Sequence, residues 1–233
     1  MKRYLALIFF ALVVTVSFAQ SNSKSEDKKR ERISFVVKGG LNLSNLLVKD
    51  NETTYSKDFK SKPGFHVGLT TEIPISGKVA FESGILLSTN GFKNSVTETT
   101  GNGIFEHNDS YNLLYIDIPL TGKAYFNVGQ TKIFGALGPY IGLGLSGKVK
   151  SELTTNGQTE SINQNIKWGT NSGDNLKRPD FGMTASIGTE ISSIQFGLYY
   201  NLGLANISAT TDNGYKINNR VFGLTVGYKF GRN

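Results

Sequence analysis

Alternating apolar and polar residues recur along this chain from Ile33 to Phe230, in eight segments joined by connections that are alternately long and very short. Period-two alternation predicts a β-strand with one apolar face and one polar face. Segments of about ten such residues, separated by turns, are typical of a transmembrane β-barrel. The pattern therefore predicts an all-β fold, an eight-stranded antiparallel up-and-down transmembrane β-barrel.

The four long connections, residues 44–63, 91–110, 147–179 and 206–219, each follow an odd-numbered predicted strand, and the three short turns follow even-numbered ones. All long loops then lie at one end of the barrel. Outer-membrane barrels have short periplasmic turns and long extracellular loops. We therefore expect a bacterial outer-membrane location with both termini periplasmic. We also expect loop 147–179 to be mobile outside the cell, with Trp168 in local packing rather than as a binding anchor, although both roles stay open.

A soluble eight-stranded barrel of the lipocalin type would also alternate, but it would hide its apolar face. In this chain the apolar phase is uniformly bulky, whereas the polar phase is rich in glycine, serine and alanine. Small residues suit the narrow interior of an eight-stranded barrel. This composition favours the membrane barrel, with the apolar face towards lipid.

The chain opens with Lys2 and Arg3, a short apolar run and small residues, which is the pattern of a secretory signal peptide. We expect residues 1–19 to be the signal, with cleavage between Ala19 and Gln20. Residues 20–32 have mixed charge and predict a disordered periplasmic leader, or alternatively a contact with anionic phospholipid. The barrel domain is then 33–230.

The net charge of +7 does not indicate nucleic-acid binding, because of its distribution. Lys2 and Arg3 leave with the predicted signal, and residues 21–32 carry five bases against three acids. The barrel therefore keeps a net charge of +3.

Four segments resemble a known family: Tyr115-Ile-Asp-Ile-Pro-Leu120, Gly138-Pro-Tyr-Ile-Gly-Leu143, Tyr200-Asn-Leu-Gly-Leu-Ala-Asn-Ile207 and Gly223-Leu-Thr-Val-Gly-Tyr-Lys-Phe230. They are similar to the PorT-type outer-membrane β-barrel family of Gram-negative bacteria, over nearly the whole chain from Ile33 to Phe230. The resemblance implies an integral outer-membrane protein. One branch of that family is associated with a protein-secretion apparatus.

Eight charged residues fall in the inward-facing phase of their predicted strands, mostly near the short turns: Lys38, Glu72, Glu82, Asp117, Lys123, Lys132, Glu190 and Lys229. A charge in a narrow, poorly hydrated space is costly unless it is paired. We therefore predict a lumen closed by a structural charge network, with partners that the sequence leaves open.

Catalytic or metal-binding residues are not indicated, since His66 and His107 lack suitably spaced partners. We expect no enzymatic activity and no cofactor. The leading hypothesis is a structural or surface-binding barrel that acts through its long loops. The alternatives are a narrow pore for small solutes and an accessory component of a secretion apparatus. Expected partners are outer-membrane lipids and lipopolysaccharide, the barrel-assembly machinery, and an unknown extracellular ligand or secretion partner. We expect a monomer.

Overall fold

The computed structural model describes residues 32–100, 103–129, 131–155, 157–171 and 173–231. The predicted signal peptide, its Ala19–Gln20 cleavage site and nearly all of the leader lie outside these residues. The described residues belong to the unit formed by Glu31–Asn233. No helix in these ranges is long and apolar enough to cross a membrane.

The described chain is built from nine strands and two short 3-10 turns, Tyr55–Asp58 and Asp212–Gly214. The strands are β1 (Ser34–Lys49), β2 (Lys60–Ser76), β3 (Val79–Thr100), β4 (Gly103–Val128), β5 (Thr131–Thr155), β6 (Gln158–Asn165), β7 (Pro179–Ile191), β8 (Ile194–Gly203) and β9 (Lys216–Phe230).

Eight of these strands form a closed ring of antiparallel pairs. The order is β1-β2-β3-β4-β5-β7-β8-β9, and β9 pairs with β1. β6 lies outside the ring and pairs with the outer part of β5. The predicted eight-stranded up-and-down barrel is therefore confirmed, with β6 as an addition that the alternation did not indicate.

The stagger of the ring follows from the pairing registers. Partners traced strand by strand from Leu43 are Phe222, Tyr200, Ala185, Leu137, Gly122, Phe81 and Ile73. Ile73 lies one position beyond the Ser34–Glu72 pair, so the circuit returns to β1 at Ile33, ten residues from its start. Such a stagger requires strands tilted to the barrel axis. The tilt decides which inward side chains meet across the lumen.

The two faces of the barrel differ as predicted. Large apolar side chains cover the outside, where Leu41 is 67% exposed and Ile75 69% exposed. Polar and charged side chains such as Thr70, Glu72 and Lys123 are buried inside. An apolar outer face opposite a polar interior belongs to a membrane barrel, because lipid takes the place of a protein core.

The segments 91–110 and 147–179, which the sequence predicted as long connections, are largely strand, and this corrects their assignment as loops. β3 and β4 stay paired from Val79–Ala124 to Thr100–Gly103. β5 continues to Thr155 and folds back as β6. These outer portions lie beyond the lipid-facing band and need no apolar face, so the alternation that reveals the membrane strands is missing there. We call this four-stranded projection of β3–β6 the outer wall.

Candidate functional site

Charged side chains converge inside the barrel near its short turns. Lys123 donates to Glu72 Oε1 at 2.6 Å, to Glu82 Oε2 at 2.9 Å and to Gln195 Oε1 at 3.1 Å. Lys38 pairs with the other oxygen of Glu82. Lys123 is only 1% exposed, so it is stable as a cation only because two carboxylates face it.

The cluster continues across the lumen through Lys229. Its Nζ lies 2.5 Å from Glu72 Oε2 and 3.1 Å from Glu190 Oε2. Gln195 donates Nε2 to both Glu72 at 2.9 Å and Glu190 at 3.0 Å. The Tyr125 hydroxyl also donates to Glu72, at 2.7 Å. Three carboxylates and three ammonium groups therefore share one hydrogen-bonded network, which we call the charge cluster: Lys38, Glu72, Glu82, Lys123, Glu190 and Lys229, with Gln195 and Tyr125.

Aromatic rings flank this cluster and limit its hydration. Lys123 Nζ lies 4.1 Å from the centroid of Phe134, and Lys229 Nζ lies 5.2 Å from that of Tyr125. A ring face attracts a cation, and this attraction adds to the ion pairs where water is scarce. The cluster is thus held by charge, hydrogen bonds and ring contacts together.

Two of the eight charges selected from the sequence lie apart from this group. Lys132 is at its edge, with Nζ 4.0 Å from Glu190 and a side chain that is 37% exposed. Asp117 is not in the cluster. Its carboxylate accepts a hydrogen bond from Ser88 at 2.5 Å, higher in the barrel. The alternation shows on which face of the sheet a residue lies, but not its height along the barrel axis. The sequence therefore placed Asp117 in one network with charges that lie nearer the short turns.

Asp117 instead neighbours a second buried acid, Asp180. Both are register partners of Gly142, one on each side, and the missing side chain of this glycine leaves room for two carboxylates. Asp180 Oδ2 accepts hydrogen bonds from Tyr140 at 3.1 Å and from Asn219 at 2.8 Å. Hydroxyl and amide donors thus replace basic partners at this level of the lumen.

An apolar plug fills the mouth of the barrel at the long-loop end. After β6 the chain returns over the mouth and buries Ile166 and Leu176 beside Ile207. Trp168 packs edge-on against Tyr115, with ring centroids 6.0 Å apart. The rest of the plug is Leu46, Val48, Phe92, Leu113 and Ala205. Trp168 therefore has the packing role that we favoured from the sequence.

Polar contacts fasten this returning segment to the barrel wall. Arg178 Nη1 donates to the carbonyls of Gly144 at 2.7 Å and Leu145 at 3.0 Å. The Lys177 amide donates to the Ile207 carbonyl at 2.7 Å. A side chain at Gly144 would overlap the Trp168 ring, so this glycine permits the segment to approach closely.

A cavity of about 70 Å³ separates the charge cluster from the acid pair. Lys38 and Glu82 line it below, Asp117 and Tyr140 above. Asn201 Oδ1 and Thr225 Oγ1 also belong to lining residues and have no protein hydrogen-bond partner. A space of this size, with unpartnered polar atoms in its lining residues, has room for a few water molecules, since one needs roughly 10–15 Å³.

The two histidines have different environments. His66 is buried against Tyr199, whose hydroxyl is 3.2 Å from its Nδ1. His107 is exposed in the outer wall, 3.1 Å from Asp109. Within the described ranges no group of three or more His, Cys, Asp or Glu side chains could hold a metal ion.

The family model of the outer membrane protein beta-barrel domain matches residues 18–209. The chain belongs to this family. The match places this family member in the bacterial outer membrane, and its PorT-type resemblance stays a prediction. No protein of curated function matches the chain.

Solved outer-membrane proteins show a distant likeness to this family member. The attachment invasion locus protein Ail of Yersinia pestis, in complex with the heparin analogue sucrose octasulfate, is 15% identical with a TM-score of 0.35, over 86% of this chain and 100% of that one. Neisserial surface protein A is 14% identical with a TM-score of 0.41, and the match covers 85% of this chain and 98% of that one. OprG of Pseudomonas aeruginosa is 15% identical with a TM-score of 0.36, and the match covers 85% of this chain and 96% of that one. At such low values none of them carries an argument about ligands.

Proposed function

We propose that this outer-membrane barrel has a closed lumen and acts at its long-loop end, as a structural or surface-binding protein without enzymatic activity. The observation that carries the proposal is the content of the lumen. The charge cluster fills the short-turn end and the apolar plug fills the mouth. The cavity between them is too small for solutes to pass in bulk. An eight-stranded barrel has room for little more than its own side chains.

The outer wall supports a role at the cell surface. Its strands extend beyond the lipid-facing band, and every residue of β6 is exposed. In the described part of the chain, β6 has β5 as its one strand neighbour, so its other edge presents unpaired backbone groups. An open strand edge can accept an extended segment of another protein. The wall is therefore the surface that we assign to a ligand or secretion partner.

The orientation is part of the proposal. We place the short turns and both termini in the periplasm and the outer wall outside the cell, following the general architecture of such barrels. The barrel-assembly machinery and outer-membrane lipids are the partners that this placement implies, with the barrel as a monomer.

Electrical recording tests the closed lumen. The purified mature barrel in a planar bilayer should give no stable, large ohmic conductance. A variant that opens both barriers, with Glu72→Ala and Lys123→Ala removing two side chains from the cluster and Gly144→Val displacing Trp168 from the plug, should conduct more often. Stable large conductance from the unchanged protein would refute closure and favour the pore.

Proteolysis of intact cells tests the orientation separately. Trypsin added outside should cut in the outer wall or the returning segment, for example at Lys167, and leave the barrel whole. Cleavage that appears only after the outer membrane is opened would reverse the orientation without bearing on closure.

A further inference from the structure

The pairing registers gather lysines on the outer surface of the barrel where the outer wall begins. Lys60 lies directly opposite Lys93, Lys93 opposite Ser110, and Ser110 opposite Lys150. These residues form one row across β2, β3, β4 and β5. Three positive charges that are far apart in the sequence therefore share a single line on the surface.

The lysines of this row point outward. Phe92, next to Lys93, is buried in the apolar plug, and alternation turns Lys93 to the opposite side. Val149 packs against the same plug, which directs Lys148 and Lys150 outward. All of these lysines are exposed.

A fifth lysine joins the row from the side. Lys62 crosses β3 over Gly91, where an added Cβ would lie 3.1 Å from its Cδ, and its Nζ donates to Ser110 Oγ at 2.7 Å. Lys93 is close enough to repel it. Lys60, Lys62, Lys93, Lys148 and Lys150 surround Ser110, and we call them the lysine patch.

The patch carries more positive charge than its own acids offset. Lys150 pairs with Glu152 at 2.6 Å. No ion pair with a carboxylate joins Lys60, Lys62, Lys93 or Lys148 within the described ranges. Like charges directly opposite each other weaken a strand pair, so this arrangement favours an external anion that neutralises it.

The height of the patch suits a lipid headgroup. Directly below it on the same strands, the lipid-facing band ends with Phe65, Leu87, Leu114 and Leu145. Lys148 lies on β5 just three residues above Leu145, and strands rise about 3.3 Å per residue. Long lysine side chains at such a boundary keep their stems on apolar surface and extend the ammonium into the headgroup layer.

We propose that the lysine patch binds the phosphate groups of an anionic glycolipid in the outer leaflet. The proposal rests on the orientation assigned above, which puts the patch in that leaflet, and it deepens the expectation of a lipid partner by naming the residues and the chemistry. Ser110 at the centre supplies a hydroxyl for the same phosphates. The contact would fix the barrel in height and place the outer wall above the lipid surface.

Native mass spectrometry of the mature barrel in a neutral detergent tests the patch, with bisphosphorylated lipid A and the same lipid freed of phosphate as probes. The variant carries K60Q, K93Q and K150Q. The matched control carries K49Q, K167Q and R220Q, which remove the same charge from exposed positions outside the patch, no two of which are register partners. A lysine beside an anionic surface contributes about a fivefold factor, so we expect the patch variant to bind bisphosphorylated lipid A roughly 100-fold less tightly.

The control variant should keep most of the affinity for bisphosphorylated lipid A. With the lipid freed of phosphate, the patch variant, the control variant and the unchanged protein should bind equally. An equal loss of affinity in the patch variant and the control variant would show that binding depends only on overall charge, and would overturn the proposal. Equal binding of the two lipids by the unchanged protein would also overturn it. Neither result bears on the conductance of the barrel, so the closed lumen is tested separately by electrical recording.

Discussion

Replacement of Lys123 by methionine tests the charge cluster most directly, because methionine keeps the apolar stem and removes the ammonium. Lys123 lies between Glu72 and Glu82, which are themselves register partners. Its loss leaves two carboxylates opposed with one fewer base. Breaking a buried ion pair from one side costs about 3–5 kcal/mol, and we expect Lys123→Met to lower the free energy of unfolding by that amount.

A second substitution shows whether charge balance is the cause. With Glu72→Gln added, the remaining groups form two complete pairs, Lys38 with Glu82 and Lys229 with Glu190. Alone, Glu72→Gln leaves every lysine with a partner and should cost about 1.5–3 kcal/mol, the contribution of a charged hydrogen bond. The double variant should cost about as much as Glu72→Gln alone, so its cost should fall at least about 2 kcal/mol below the sum of the two single costs.

Equilibrium urea unfolding in detergent micelles measures these energies, with the heat-dependent gel mobility of the folded barrel as a second probe. Lys132→Met is the matched control, since this half-exposed lysine is 4.0 Å from Glu190 and should matter by about 1 kcal/mol or less. Additive costs within about 0.5 kcal/mol would show that Lys123 and Glu72 act independently, and would refute the reasoning.

Three further outcomes are expected. Gly144→Val should displace Trp168, the one tryptophan of the chain, and shift its fluorescence emission to longer wavelength. In the first loop, hydrogen bonds from the Tyr55 hydroxyl and two backbone amides hold the pKa of the Asp50 carboxyl below its usual range. The contribution of these hydrogen bonds to loop order is therefore complete above about pH 3.9 and is lost as the pH falls through the lowered pKa of Asp50. An NMR titration of the loop amides would show this loss. The intact mass of protein from the outer membrane should correspond to a chain that begins at Gln20.

Each of these outcomes has a control. Gly135→Ala should leave the emission unchanged, because an added Cβ there meets only the Ser186 carbonyl oxygen, at 4.0 Å. In Asp50→Asn, the amide signals of Glu52 and Thr53 should no longer change as the pH falls. A change that persists would mean that another group titrates there. A mass that includes Met1 would contradict signal cleavage.

The sequence by itself determined the barrel, its strand count and its two faces. Lipid outside and a narrow space inside impose a period of two on every membrane strand, and each strand carries that constraint locally. The same phase put Lys38, Glu72, Glu82, Lys123, Glu190 and Lys229 in the lumen. A local pattern is sufficient wherever the environment of a residue depends only on which way its strand faces.

Only the tertiary structure decided which groups meet. Gln195, Tyr125 and Asp180 are ordinary inward residues in the sequence, and the ten-residue stagger of the ring brings the first two to Glu72 and the third towards Asp117. The outer wall and the lysine patch were also hidden. Above the membrane no lipid enforces alternation, and Lys60, Lys93 and Lys150 become neighbours only through the registers of β2–β5. Contacts between strands depend on stagger and closure, which are properties of the whole ring rather than of any segment.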